Sequence, residues 1–318
     1  MGSRGIRRRG VAIESIGTEY VDRGGTARSA GTAAALFRLS KPGILSAVLL
    51  AGFTGMVLGG RGWPEGRTGF ICLTALFLSA AGSAIINGVL DAPLDLRMAR
   101  LGKRSAALET VGRKRALLIA TSGIGMSLFI ALHFFGPLVF LFILAAVISY
   151  TVLYTLHFKR SSPWGAVPGG IPGALPVLIG YAAVAGMVRL DGIILFVFMI
   201  LWQPPHFWSL ALGNRDDYER AGLPVLPVVK GGRFTGILIF IYATALIPAS
   251  LSLWLSGYCS VYYGIAALAC GIAFLGACCQ LHNNNRRSAM VFSASILYLM
   301  LLFSTIVVDI CLIQGRLS

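Results

Sequence analysis

The sequence predicts an all-α membrane protein, a polytopic helix bundle with about nine transmembrane helices. Three observations carry that prediction. Hydrophobic residues make up 56% of the 318-residue chain and charged residues only 12%, whereas a water-soluble domain carries about a quarter charged residues. Mean hydropathy is +0.79. The apolar residues also fall in blocks long enough to cross a bilayer, which takes roughly 20 residues of helix. Those blocks lack the strict alternation of barrel strands, the other arrangement that leaves no backbone group unpaired in lipid.

Taken in order, residues 1–37 are rich in Gly, Arg and Ser without apolar periodicity, and read as a disordered basic tail on the cytoplasmic side. The tail has no apolar h-region of a signal peptide, its acidic residues Glu14, Glu19 and Asp22 weaken a transit-peptide reading, and Gly2 lacks the myristoylation pattern. Residues 38–318 read as one membrane domain. Spans are expected near Ile44–Gly60, Gly69–Leu90, Ala116–Leu132, Pro137–Phe158, Gly165–Val188, Ile193–Leu212, Thr235–Ser256, Tyr258–Gln280 and Met290–Ile313. Short turns join most of them. Two intervening segments, Asp91–Arg115 and Gly213–Arg233, are longer and far more polar, and each follows an even-numbered span.

The formal charge of +15 is one-sided: 23 of the 27 Lys and Arg residues fall on the side of the N-terminus, leaving Arg61, Arg67, Arg189 and Arg316 opposite. That is the positive-inside pattern, which puts the N-terminus and the two polar segments in the cytoplasm, for a bacterial protein at the inner membrane. A basic membrane face suits anionic lipid headgroups and anionic substrates. Nucleic acid is not expected as a partner, because no basic–aromatic patch accompanies the charge. The six cysteines sit within or beside apolar spans without metal spacing and read as small buried hydrophobes.

The chemistry lies in the two polar segments. In the first, Asn87, Asp91 and Asp95 are spaced by four, which on a continuous helix puts three oxygen-bearing side chains on one stripe at the membrane boundary, with Arg100, Lys103 and Arg104 close behind. Hard oxygen ligands of this kind suit Mg²⁺, which takes one or two carboxylates and completes its shell with water and substrate phosphate, while guanidinium and ammonium groups hold phosphate oxygens directly. The second segment again sets paired carboxylates, Asp216 and Asp217, beside Arg215, Tyr218 and Arg220, with Lys230 further on. Two acidic clusters in basic loops on one face of a bundle can bracket one diphosphate with two metals. The bland alternative, solvated cap residues at helix ends, is weakened because the chain has only 12 acidic residues and charge beside a bilayer is costly.

These residues resemble a known family. The run Asn87…Asp91…Asp95…Met98…Arg100 is similar to the first aspartate motif of the UbiA-type intramembrane prenyltransferases. Tyr154-Thr-Leu-His-Phe-Lys159-Arg160, Gly169-Gly-Ile-Pro-Gly173 and above all Leu201-Trp-Gln-Pro-Pro-His206…Asp216-Asp217-Tyr218…Leu223-Pro224-Val-Leu-Pro227-Val-Val-Lys230 resemble one branch of it, the protohaem IX farnesyltransferases or haem O synthases. The likeness spans roughly residues 38–312. It implies a nine-helix bundle that transfers a farnesyl group from farnesyl diphosphate to a vinyl group of haem b, within the lipid bilayer, with a haem A synthase as the downstream partner. It implies that Asn87, Asp91 and Asp95 hold one Mg²⁺ and that Asp216 or Asp217 helps to hold another. Arg100, Lys103, Arg104, Lys159, Tyr218 and Lys230 are then candidates for the substrate.

The chain departs from the family pattern at Gly88, Ala92, Pro93, Leu96 and Leu101, three of which replace charges. Pro93 is expected to open a new helix, so that Asp91 and Asp95 do not share a straight one. Three alternatives stay open: a prenyltransferase acting on a quinone precursor, an impaired homologue that binds haem without prenylating it, and a transporter with broken helices. The last is disfavoured because the charges cluster at one membrane edge rather than at mid-depth.

His206 follows Pro204-Pro205 in the sixth span. It reads either as a catalytic group at the haem, ligand or acid/base, or as a buried histidine bonded to carbonyls that the prolines free. Trp202, Phe207 and Trp208 can stabilise a carbocation or simply fill the bundle. His133, His157 and His282 read as structural or boundary residues, and Asp309 as a lone interfacial residue on the opposite side.

Overall fold

The computed structural model describes residues 31–283 and 287–313. Within them every regular element is a helix. Eight helices are long and apolar enough to span a membrane: α2 (Pro42–Gly60), α3 (Gly66–Asp95), α5 (Arg113–Phe135), α6 (Pro137–Ser161), α8 (Leu190–Gly213), α10 (Gly231–Leu255), α11 (Val261–Asn283) and α12 (Ser288–Ile313). A shorter apolar helix, α7 (Gly170–Ala185), is the ninth member among the described residues. The fifth expected span is thus cut to 16 residues, because Pro163 and Pro168 hold the preceding chain in turns. Of the expected tail, residues 1–30 lie outside the described part, as does the side chain of His282. The end of the tail departs from the expectation of disorder: α1 (Thr32–Leu39) is helical and buries Ala35 and Leu39 against α3 and α4 (Gly102–Val111).

The spans alternate in direction, so both polar segments and the start of α2 share one end of the bundle. The α2–α7 contact, the broadest between any two spans, is permitted by glycine: a Cβ on Gly180 would fall on the Gly52 carbonyl oxygen, and one on Gly55 on that of Val177. The main core is built from α2, α7, α8, α10, α11 and α12 around Tyr181, Phe198, Trp208, Tyr263 and Phe303. Large apolar side chains such as Leu118, Phe129, Leu141 and Ile265 instead face outward, as they must where the surroundings are lipid. This is an integral membrane protein.

Two local features shape the site. First, α3 runs unbroken to Asp95 with Pro93 inside it, contrary to the expectation that Pro93 would start a new helix. The proline removes one amide donor in the last turn, where little helix remains to be disrupted, and Leu96 N–H still reaches the Ala92 carbonyl at 3.3 Å. Second, α6 widens over Ser149–Phe158 into an i→i+5 helix. In it the Thr155 hydroxyl bonds the Tyr150 carbonyl at 2.8 Å. Such wide turns are rare and concentrate at functional sites.

Candidate active site

Asn87, Asp91 and Asp95 form one buried stripe along the end of α3, at 2%, 0% and 3% exposure. Charged groups so buried must be paired, and each is. Asn87 Nδ2 donates to Asp91 Oδ2 at 2.9 Å and to Thr155 Oγ1 at 3.0 Å. Asp91 is gripped by Lys159 and, at 3.4 Å, by Arg160, whose guanidinium also bonds the Leu90 carbonyl. Asp95 accepts from Arg104, with Nε at 2.6 Å. The widened part of α6 thus turns Thr155 and Lys159 onto the α3 stripe.

The second acidic cluster meets the first through Arg100. Its Nε lies 3.5 Å from Asp217 Oδ2, its Nη2 donates to the Tyr218 hydroxyl at 3.2 Å, and its guanidinium carbon stands 5.4 Å from the Tyr218 ring centroid. Tyr218 and Asp217 belong to α9 (Arg215–Arg220), packed under Met98 and Leu223. Burial raises the Tyr218 phenol above its usual value, with Arg100 opposing the shift. Asp217 is held also by Arg220. The two polar segments therefore converge, as their composition suggested. A narrow cleft beside them is lined by Tyr154, Lys159, Phe207 and Val225.

Not every candidate joins this cluster. Lys103, Lys230 and Asp216 are exposed, and among the described residues no ion pair ties them to it. His206 lies deeper in the bundle: its Nδ1 is 2.7 Å from Ser295 Oγ, so its partner is on α12 rather than the α8 carbonyls. Trp202 stacks on His206 and donates to the Ser295 carbonyl at 2.9 Å, Trp208 is core, and Phe207 alone of the three aromatics lines the cleft. Asp309 is not a lone interfacial residue. It is buried and accepts from the Ser260 amide at 2.8 Å and from the Ser260 hydroxyl. His133 and His157 are exposed. Pro93 and Leu96, which stand in place of family charges, point outward from the stripe, so those lost charges fall outside the buried ionic cluster.

The sequence reading missed Lys41. It ends the approach to α2 with φ +56°, a left-handed conformation rare for a residue with a Cβ, and disfavoured again by Pro42. From there its ammonium reaches Asn87 Oδ1 and, at 3.4 Å, the Tyr150 hydroxyl. Burial, with Arg104 adding like charge, lowers its pKa to about 7. The available signal was position: Lys41 is the last cation before the first apolar block, on the basic side. Tyr150, one wide turn before Tyr154 and stacked on it at 6.0 Å, was missed as well.

The donor set fits Mg²⁺. It comprises an amide oxygen and two carboxylates on one stripe, with a third carboxylate across Arg100. Among the described residues no group of three or more His, Cys, Asp and Glu is placed to hold a metal ion, and these oxygens are engaged by Lys41, Lys159 and Arg104 instead.

The UbiA prenyltransferase family matches residues 48–304. The Protoheme IX farnesyltransferase of Geotalea uraniireducens is 53% identical over 256 residues, covering 80% of this chain and 99% of that protein. That of Aquifex aeolicus is 41% identical over 272 residues, covering 85% and 93%. Among solved structures, that of a digeranylgeranylglyceryl phosphate synthase superposes with TM-score 0.73 at 17% identity, covering 88% of this chain and 98% of that one. A UbiA homologue from Archaeoglobus fulgidus bound to GPP and Mg²⁺ gives TM-score 0.65 at 17% identity, covering 86% and 99%. A continuous match over most of the membrane domain, with the shared bundle, leaves one conclusion: this chain belongs to the UbiA prenyltransferase family, in the branch of the protoheme IX farnesyltransferases.

Proposed function

We propose that this protein transfers the farnesyl group of farnesyl diphosphate to a vinyl group of haem b, giving haem O for a downstream haem A synthase. The observation that carries the reading is the meeting of two acidic, cation-rich segments through Arg100 at the end of an apolar bundle. The farnesyl chain is a hydrocarbon and reaches such a site from the bilayer, while its anionic head needs positive charge and hydrogen-bond donors.

In this reading Asn87, Asp91 and Asp95 would hold one Mg²⁺ and Asp217 would help to hold a second, and a bound metal would supply positive charge for the diphosphate. The chain's own groups do the rest. Lys41, Arg100, Arg104 and Lys159 donate to diphosphate oxygens and stabilise the charge that grows as the allylic C–O bond breaks, the bonding pair leaving with diphosphate. Each such donor in a water-poor site contributes about 10²–10³ in rate. The carbocation is shielded from water by Tyr154, Phe207 and Val225 and is attacked by the vinyl π electrons; water then adds to the new cation beside the porphyrin and gives up one proton to the released diphosphate. Lys159 and Arg160 fix the position of the Asp91 carboxylate, and Tyr218 fixes the Arg100 fork.

The positive-inside charge pattern supports a cytoplasmic position for this end of the bundle and, in a bacterial cell, the inner membrane. The test is proteoliposomes supplied with farnesyl diphosphate and Mg²⁺ and either haem b or a hydroxybenzoate, with products read by mass spectrometry. Haem b is expected to gain the farnesyl and hydroxyl masses; prenylation of the hydroxybenzoate alone would overturn the acceptor.

A further inference from the structure

His206 is held in an unusual way. Both faces of its ring are covered, by Trp202 at 4.4 Å and 19° and by Phe292 at 4.7 Å and 27°. Its Nδ1 lies 2.7 Å from Ser295 Oγ, and the same hydroxyl lies 2.6 Å from the Phe292 carbonyl oxygen. That carbonyl can only accept, and the serine has one proton, which it therefore gives to Phe292. The short contact to the imidazole then requires Nδ1 to be the donor. A neutral imidazole with its proton on Nδ1 carries its lone pair on Nε2. His206 remains partly exposed. Among the described residues no hydrogen bond reaches its Nε2.

A ring fixed through Nδ1–H, with no hydrogen bond on Nε2, is the arrangement that prepares histidine to ligate iron. Stacked faces do not obstruct it, because a metal binds in the ring plane. The neighbouring residue, Phe207, lines the cleft beside Lys159 and packs on Tyr218 at 6.3 Å, so a porphyrin held at His206 would bring its vinyl-bearing rim toward the cleft where the prenyl cation forms.

We propose that His206 Nε2 is the axial ligand of the acceptor haem iron, with Ser295 as the residue that sets its tautomer. The inference rests on the haem acceptor reading above. It is tested on the purified full-length protein titrated with haem b without farnesyl diphosphate, read by optical absorption and by resonance Raman in the ferrous state. Wild type is expected to show the iron–histidine stretch. His206→Gly is expected to lose it, and added imidazole to restore it. Ser295→Ala keeps the imidazole but frees its Nδ1, and is expected to shift the stretch and weaken haem binding by roughly 10-fold. An unchanged spectrum in His206→Gly, with haem still bound, overturns the ligand assignment and leaves the transferase reading intact. A wild-type protein that binds no haem yet prenylates another acceptor overturns both.

Discussion

Lys41→Gly separates backbone strain from chemistry at one position. The left-handed conformation of Lys41, φ +56°, costs roughly 1–2 kcal/mol for a residue with a Cβ, and glycine adopts it freely. Against that relief stand the greater chain entropy of glycine, roughly 0.5–1 kcal/mol, and the lost ammonium bonds to Asn87 and Tyr150, about 1 kcal/mol each. The sum is a net loss of about 0.5–2 kcal/mol, so thermal stability is expected to fall by no more than about 2 kcal/mol. Activity is expected to respond differently. If Lys41 donates to the leaving diphosphate as proposed, its loss lowers kcat by about 10²–10³. The assay is steady-state farnesyl transfer beside a melting curve of the same preparation. Turnover within threefold of wild type would refute the role given to Lys41, and a collapse of stability would refute the strain argument.

Other substitutions probe the remaining parts of the site. Asp91→Ala strands Lys159 and Arg160 and should abolish turnover while destabilising by about 3–5 kcal/mol; retained turnover in the assay would mean that the metal site lies elsewhere. Tyr218→Phe removes the hydroxyl held by Arg100 and should cost about 1 kcal/mol in a melting curve and lower kcat/KM roughly fivefold. Pro93→Ala restores a helix donor at an exposed position in the last turn and should raise stability by no more than about 1 kcal/mol, well below the ~3 kcal/mol of a helix interior, with transfer rates preserved. At the far end of the bundle, Tyr181 donates to buried Asp191 at 2.7 Å, beside Arg61. Tyr181→Phe should cost about 1.5–3 kcal/mol in a melting curve and leave kcat unchanged, because no diphosphate contact passes through it.

The spans were legible because apolar runs of bilayer length admit one backbone solution. The α3 stripe was legible too, because spacing by four on a helix is geometry. Pro93 misled because proline is costly in a helix interior but cheap in a last turn, and nothing local says where the helix stops. Asp309 misled because its partner, Ser260, is 49 residues away, and long-range pairing leaves no mark in a local window. The same holds for the junction of Arg100 with Asp217 and Tyr218: composition indicated that the two segments share a face, and only the fold shows which side chains touch. Lys41 was hidden because its importance comes from a strained turn, which single-sequence patterns do not report. The widened turn of α6 has no simple sequence signature, so Tyr150 and Thr155 were out of reach.

The central claim is that residues from both polar segments grip one diphosphate. A double-substitution cycle on farnesyl diphosphate binding, with Asp91→Asn and Asp217→Asn singly and together at fixed Mg²⁺, measures it by calorimetry. Groups acting as a unit give non-additive losses, so the double variant is predicted to bind little worse than the weaker single variant. Losses that simply add would show that the two segments act on separate ligands, and would contradict the account.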